Sequence, residues 1–374
     1  MRLRSFRLVV TTTIVLAALV VTSAADGSSA TTPSPSNKPT HQPPGKPAQL
    51  GIAEELVVGG YGSDGVVITS WADSPKARKL ATVHSPTFIS VDRVKKVFYV
   101  TSETSGAKIN LFAITYAGKV VSALNSGGVS PVRSAISGDR LAVANYDGSI
   151  ALFALTKSGA IARPLSVVKT AGSGPDVERQ DASHPHSVTF GPDGTTLWAA
   201  DLGADVVMRF DLGRTRNSLT ERERISMTPG SGPRQVLVGR DNLLYVAAEL
   251  DGYVDLLVVS GPTTRLLRRV LVRPKGRIGE VLLSPSRRWM IALSRATSEC
   301  VVFAVDGDQL HESSQAPCGN GPRHASFSTD GRELFVAAQA SNEVKVLGFD
   351  DRTGKLVETR SLPFSKPAVV YPIG

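Results

Sequence analysis

GSGPDVERQDASHPHSVTFGPDGTTLWAADLGAD, from Gly172 to Asp205, holds a Gly/Pro-rich loop, an Arg-Gln pair and two histidines two residues apart. Two strand-like runs joined by an Asp-Gly turn follow. The same order (a proline start, a short strand, a turn, a second strand ending in a polar residue) recurs along the chain. The starts are SPTFISV at Pro86, SPVRSAI at Pro131, HPHSVTF at Pro185, GPRQVLV at Pro233, RIGEVLL near Gly279, GPRHASF at Pro322 and KPAVVYP at Pro367. They lie 45, 54, 48, 46, 43 and 45 residues apart. A period in this range carrying about four strands marks a β-propeller blade, so seven starts predict seven blades.

The ends of the repeat array predict how the ring closes. After Lys366 only one strand fits, whereas Glu54 to Val83 supplies about three strands without a proline start. The C-terminal strand is therefore expected to complete the N-terminal blade and cover an otherwise bare sheet edge. Between these ends, runs such as KVFYVTSE, DRLAVANY, LLYVAAEL and ELFVAAQ alternate with turn signals, and no stretch keeps helical spacing over three turns. The expected class is all-β, a seven-bladed propeller spanning residues 50–374.

Residues 1–25 read as a signal peptide. Arg2, Arg4 and Arg7 precede the apolar run Leu8 to Val21, and Thr22, Ser23, Ala24 and Ala25 follow as small residues suited to cleavage. The run falls short of the ~20 residues that span a membrane; an uncleaved anchor is the alternative. Residues 26–49, DGSSATTPSPSNKPTHQPPGKPAQ, are almost devoid of apolar side chains and read as a disordered spacer that includes His41. The chain is expected to be exported, without a membrane span once cleaved, and monomeric. Three of its nine surplus positive charges lie in the leader, and no basic run interleaves with aromatics, so no nucleic-acid partner is expected.

In a propeller the innermost strands and the loops entering them line a central channel. Residues just after the starts converge there: Arg133, His184, His186, Arg234, Gln235, Glu280, Arg323 and His324. So do the polar residues ending each second strand: Glu103, Asn145, Asp201, Glu249, Arg295 and Gln339. Several arginines imply an anionic ligand, because a guanidinium fork fits carboxylate or phosphate. His184 and His186 could form half a metal site, but no third ligand stands at defined spacing, and no metal or cofactor is expected. The Gly-Pro-Arg turns could equally be architectural, each arginine bracing the next blade, and one histidine could serve as a structural hydrogen-bonding group. Asp193-Gly194 and Asp330-Gly331 are hairpin turns, and Asp201 and Asp205 are expected to cap turns. Trp71, Trp198 and Trp289 are expected to pack between blades. Cys300 and Cys318 stand at the open end of one predicted hairpin and are disulfide candidates; two unpaired thiols are the alternative.

The segment GSGPDVERQDASHPHSVTFGPDG with DLGAD resembles the bacterial lactonase family of seven-bladed propellers. That family includes propeller-type 6-phosphogluconolactonases and 3-carboxy-cis,cis-muconate lactonising enzymes. LVVGGYGSDGVVI, GGVSPVRSA with LAVANYDGSI, GSGPRQ with YVAAEL, and GNGPRHASFSTDGRELFVAAQASNEVKV with TGKL follow the family's order, so the resemblance covers roughly 52–372. It implies an active site on His186, Arg234 and Glu249, with His184, Arg295, Arg323 and His324 binding substrate, and no metal. Gln235 stands where the family often has His, Arg133 where a small residue is usual, and the sixth unit lacks its proline start.

The implied activity is hydrolysis of a small, anionic lactone: arginines bind substrate and stabilise the oxyanion while His186 or Glu249 activates water. An exported chain does not fit a phosphorylated sugar lactone, whose pathway is cytoplasmic. A muconate-type cyclisation using the same groups, and a non-catalytic binding or scaffold propeller that kept the frame, are the alternatives.

Overall fold

A computed structural model describes residues 55–62, 65–70 and 77–373. The leader, the spacer with His41, and Trp71 lie outside the described residues. The described residues form 28 strands in seven four-stranded antiparallel sheets. Blade 2 runs from Pro86 to Leu124, blade 3 from Pro131 to Lys169, blade 4 from Pro185 to Ser226, blade 5 from Pro233 to Leu271, blade 6 from Ile278 to Pro317 and blade 7 from Pro322 to Pro363. Blade 1 joins the three strands between Glu55 and Ala81 to the C-terminal strand Pro367–Pro372, which pairs with Glu55–Gly60 as Val58↔Val370.

The innermost strands Pro367–Pro372, Pro86–Asp92, Pro131–Ser137, Pro185–Phe190, Pro233–Val238, Ile278–Leu283 and Pro322–Phe327 each pack against the next around a closed ring. In blade 1 that innermost strand is the last one of the chain. Seven separate apolar clusters fill the seven interfaces between neighbouring blades. The cluster between blades 7 and 1 sets Phe335, Ala337 and Val346 against Leu56, Val58 and Val370.

This arrangement explains the strand patterns. The second strands Val97–Ser102, Arg140–Asn145, Thr196–Asp201 and Leu243–Ala248 are buried at every position. They are covered by a blade on each face, so they read as unbroken apolar runs. The outermost strands are exposed and charged, as in Thr220–Ser226, TERERIS. A charged edge discourages pairing with another chain. Trp198 packs between blades 4 and 5. Trp289 packs between blades 6 and 7 and donates Nε1 to the carbonyl of Asp351 at 2.8 Å.

Cys300 and Cys318, both fully buried in blade 6, are joined in a disulfide with Cα atoms 5.7 Å apart. The aspartates expected in turns are there. Asp193 accepts from the amides of Thr195 and Thr196, and Asp330 from that of Arg332. Asp201 accepts from Ser183 and from the amides of His184 and Ala204. Asp205 accepts from the amides of Gly230 and Gly232.

Candidate active site

Two rings of equivalent positions build one mouth of the channel. At the start of every innermost strand the pairing register slips by one residue, leaving Ala368, Thr87, Val132, His186, Arg234, Gly279 and Arg323 without a partner across the strand. A β-bulge of this kind re-aims the side chain it carries. The second ring is the residue that immediately follows each second strand. Tyr61, Glu103, Tyr146, Leu202, Glu249, Arg295 and Gln339 each donate their amide to the carbonyl just before the neighbouring innermost strand, at 2.8 to 3.2 Å. The two rings therefore meet at one end of the ring of blades.

His186, Arg234 and Glu249 come together there, all buried. Arg234 Nη1 lies 2.7 Å from His186 Nε2 and donates to Glu249 Oε2 at 2.5 Å. Its Nε donates to the carbonyl of Gly279 in the next blade at 2.8 Å. Arg234 thus braces the next blade through Nε while its Nη1 meets His186 and Glu249. A guanidinium only donates, so His186 Nε2 is the unprotonated nitrogen of a neutral imidazole. Burial, then the charge of Arg234, holds this imidazole well below its usual range. Glu249 Oε1 meets Arg179 Nη1 at 2.8 Å and Arg295 Nη2 at 3.5 Å. Burial opposes its charge, but Arg234, Arg295 and Arg179 outweigh burial and hold the carboxyl well below its usual range. Burial lowers Arg295 to about 10.

Arg295 reaches this cluster because blade 6 has no side chain at the bulge. A Cβ built on Gly279 would stand 2.6 Å from the carbonyl oxygen of Pro322 and 3.0 Å from Arg295 Cδ. The unit without a proline start is therefore the one that makes room for an arginine.

On the opposite side of the mouth, Arg323 lies 4.9 Å over the Tyr61 ring and donates to Glu103 Oε2 at 3.3 Å. Tyr61 donates its hydroxyl to the same oxygen at 2.5 Å. The charge of Arg323 acts on His186, Arg234 and Arg295, which places the two sides of the mouth within electrostatic reach.

Two expected substrate-binding residues are placed otherwise. His184 stacks on Tyr146, with centroids 4.2 Å apart, and both its nitrogens are engaged, Nδ1 with the carbonyl of Tyr146 and Nε2 with Asp181, each at 2.9 Å. It holds Tyr146, whose ring meets the edge of His186. His324 is one position past the bulge and joins a second layer instead. There Arg133 Nη2 of blade 3 meets Glu280 Oε1 of blade 6 at 2.8 Å. Neither blade neighbours the other, so this pair crosses the channel. His324 Nε2 stands 3.7 Å from Glu280, and its ring packs against Tyr371 at 4.6 Å. Gln235 clamps both backbone groups of Val281 and ties blade 5 to blade 6. Burial lowers His324 to about 4.

Arg179, Tyr61 and Tyr146 were not expected in the site. Tyr61 and Tyr146 occupy the same register as Glu249, and only alignment by position rather than by polarity reveals them. Asn145 and Asp201, picked for polarity, sit one residue early and bond to structural partners, Asn145 to Ser126 and Ser149. Arg179 comes from the long connection before blade 4. Asp176 caps the turn that presents it, and buried Gln180 pins that turn to the carbonyl of Leu202. Among the described residues, no group of three or more His, Cys, Asp or Glu side chains could hold a metal ion.

The family model described as lactonase, 7-bladed β-propeller, matches residues 56–372. A 6-phosphogluconolactonase of Formosa agariphila is 29% identical over 64% of this chain and 72% of its own length. One of Bacillus subtilis is 25% identical over 83% of this chain and 94% of its own. The structure of a periplasmic gluconolactonase from Pseudomonas aeruginosa superposes with a TM-score of 0.77 at 26% identity, over 86% of this chain and 99% of that one.

Proposed function

This chain belongs to the lactonase family of seven-bladed β-propellers, and from that premise we propose that it hydrolyses the ring ester of a small lactone at the channel mouth. The observation that carries the proposal is the neutral imidazole of His186 held against Arg234, beside a carboxylate that gathers three arginines. Glu249 has both oxygens committed to guanidinium groups, so it orders the arginines and leaves the base role to His186.

Water attacks the lactone carbonyl carbon as its proton passes to His186 Nε2, whose single lone pair is released when Arg234 Nη1 gives up its hydrogen bond to it. The negative charge formed on the carbonyl oxygen is met by Arg234, whose Nη2 alone among its nitrogens has no hydrogen-bond partner among the described residues. Collapse breaks the ring C–O bond, the proton moves from His186 to the leaving alkoxide, and a hydroxy acid remains, which ionises. One preorganised donor to an oxyanion typically contributes about 3 kcal/mol, and a general base roughly 10² to 10⁴ in rate.

The leader-like segment 1–25 carries the domain 50–374 out of the cytoplasm on its spacer 26–49. Support comes from the segment's basic, apolar and small-residue order and from the periplasmic location named for the Pseudomonas aeruginosa relative.

A pH-stat assay of the purified protein against a lactone panel tests the activity. Arg234→Ala is expected to lower kcat/KM by about 10² to 10³. An Arg234→Ala protein as active as wild type would remove the site from the mouth.

A further inference from the structure

We propose that Tyr61, Glu103 and Arg323 form a subsite that reads the hydroxyl groups at the distal end of the substrate, so that the lactone is a neutral polyhydroxy compound and not a phosphorylated one. The inference rests on the lactonase reading above and names its substrate class.

Charge sets the two sides of the mouth apart. Arg179, Arg234 and Arg295 share the single carboxylate of Glu249. That side has positive charge to spare, and it is the side where ring opening creates an oxyanion and then a carboxylate. The arginines there meet charge that the reaction itself generates, and the substrate needs none of its own. On the other side Arg323 already faces Glu103, leaving no surplus for a phosphate.

The remaining valences suit hydroxyls. Arg323 and Tyr61 both donate to Glu103 Oε2, and Oε1 has no donor among the described residues. A carboxylate oxygen without a donor accepts readily from an alcohol and repels a phosphate. The Arg323 guanidinium covers one face of the Tyr61 ring and so ties the two side chains together.

The test compares D-glucono-δ-lactone with its 6-phosphate in the purified protein and in Glu103→Gln, which keeps shape and removes charge. Wild type is expected to favour the neutral lactone at least tenfold in kcat/KM. Glu103→Gln is expected to shift that ratio about tenfold toward the phosphate, mainly through KM. A second measurement does not depend on turnover: calorimetric binding of D-gluconate and 6-phosphogluconate to both proteins, with the same expected tenfold shift in the ratio of Kd values. Binding that follows this pattern without hydrolysis would sink the hydrolase reading and keep the subsite. Hydrolysis with an unchanged ratio in Glu103→Gln, or a wild-type preference for the phosphorylated compounds, overturns the subsite and leaves the hydrolase reading standing.

Discussion

Two buried histidines, in blades 4 and 7 and one register step apart, show how much a single residue step decides. His186, on a bulge, faces Arg234 and the site; His324, just past one, faces Glu280 in the layer below. Both are held neutral by burial, which gives the fold a pH signature. An imidazole kept below its ordinary value stays neutral in the fold while the unfolded chain binds a proton. Its stabilising contribution is complete above about pH 6.5 and is lost as pH falls. For His324, lowered to about 4, the loss accrues between those two values. Asp255, raised to about 6 by burial, works in the opposite direction as pH falls. Urea unfolding at pH 7 and pH 5 is expected to show that His324→Gln loses about 2 kcal/mol less than wild type over the interval. Identical pH dependence in the two proteins would remove His324 from this account. Repeat-defined positions placed His186, Arg234 and Glu249 among many candidates for the mouth, the family resemblance singled them out, and the structure brings the three into contact. Arg179 was not legible in the sequence, because a long connection obeys no repeat and its aim depends on the contacts of Asp176 and Gln180.

At the level of strands, the bulge and the end of the second strand recur in every blade, so the strand plan was readable from proline starts and turns. What could not be read was depth. Without the bulge, Arg323 and His324 are simply neighbours; with it, they belong to different layers. The polarity of Asn145 and Asp201 pointed one residue away from Tyr146 and Leu202, because capping a turn calls for the same side chains as binding a ligand. The disulfide is an element-scale feature as well. Cys300 is the second residue of the third strand of blade 6, Glu299–Asp306, and Cys318 follows its outermost strand, closing a loop with a separation of 18 residues. Replacing both with serine is expected to cost about 3 kcal/mol of stability in denaturant titrations. Unfolding midpoints that do not respond to reductant in the wild-type protein would contradict the bond.

Across the whole molecule, stability depends on the ring being closed. Each apolar cluster lies between two blades, so no blade has a core of its own. Deleting residues 366–374 removes the innermost strand of blade 1 and bares Val57 and Phe88 on one side and Val58 and Phe335 on the other. The truncated chain is expected to fail to give a cooperative thermal transition and to aggregate, as judged by calorimetry and gel filtration. A sharp transition near the wild-type Tm would refute the closing role of the strand. The same closure orders events in time. Val58 is made long before its partner Val370, and the contact between them spans nearly the whole domain. Contacts of such high sequence separation form late. Blades 2 to 7 can stack as they emerge, but the ring stays open until the final residues arrive. Until they do, blade 1 lacks its innermost strand and the apolar interfaces on both of its sides stay open.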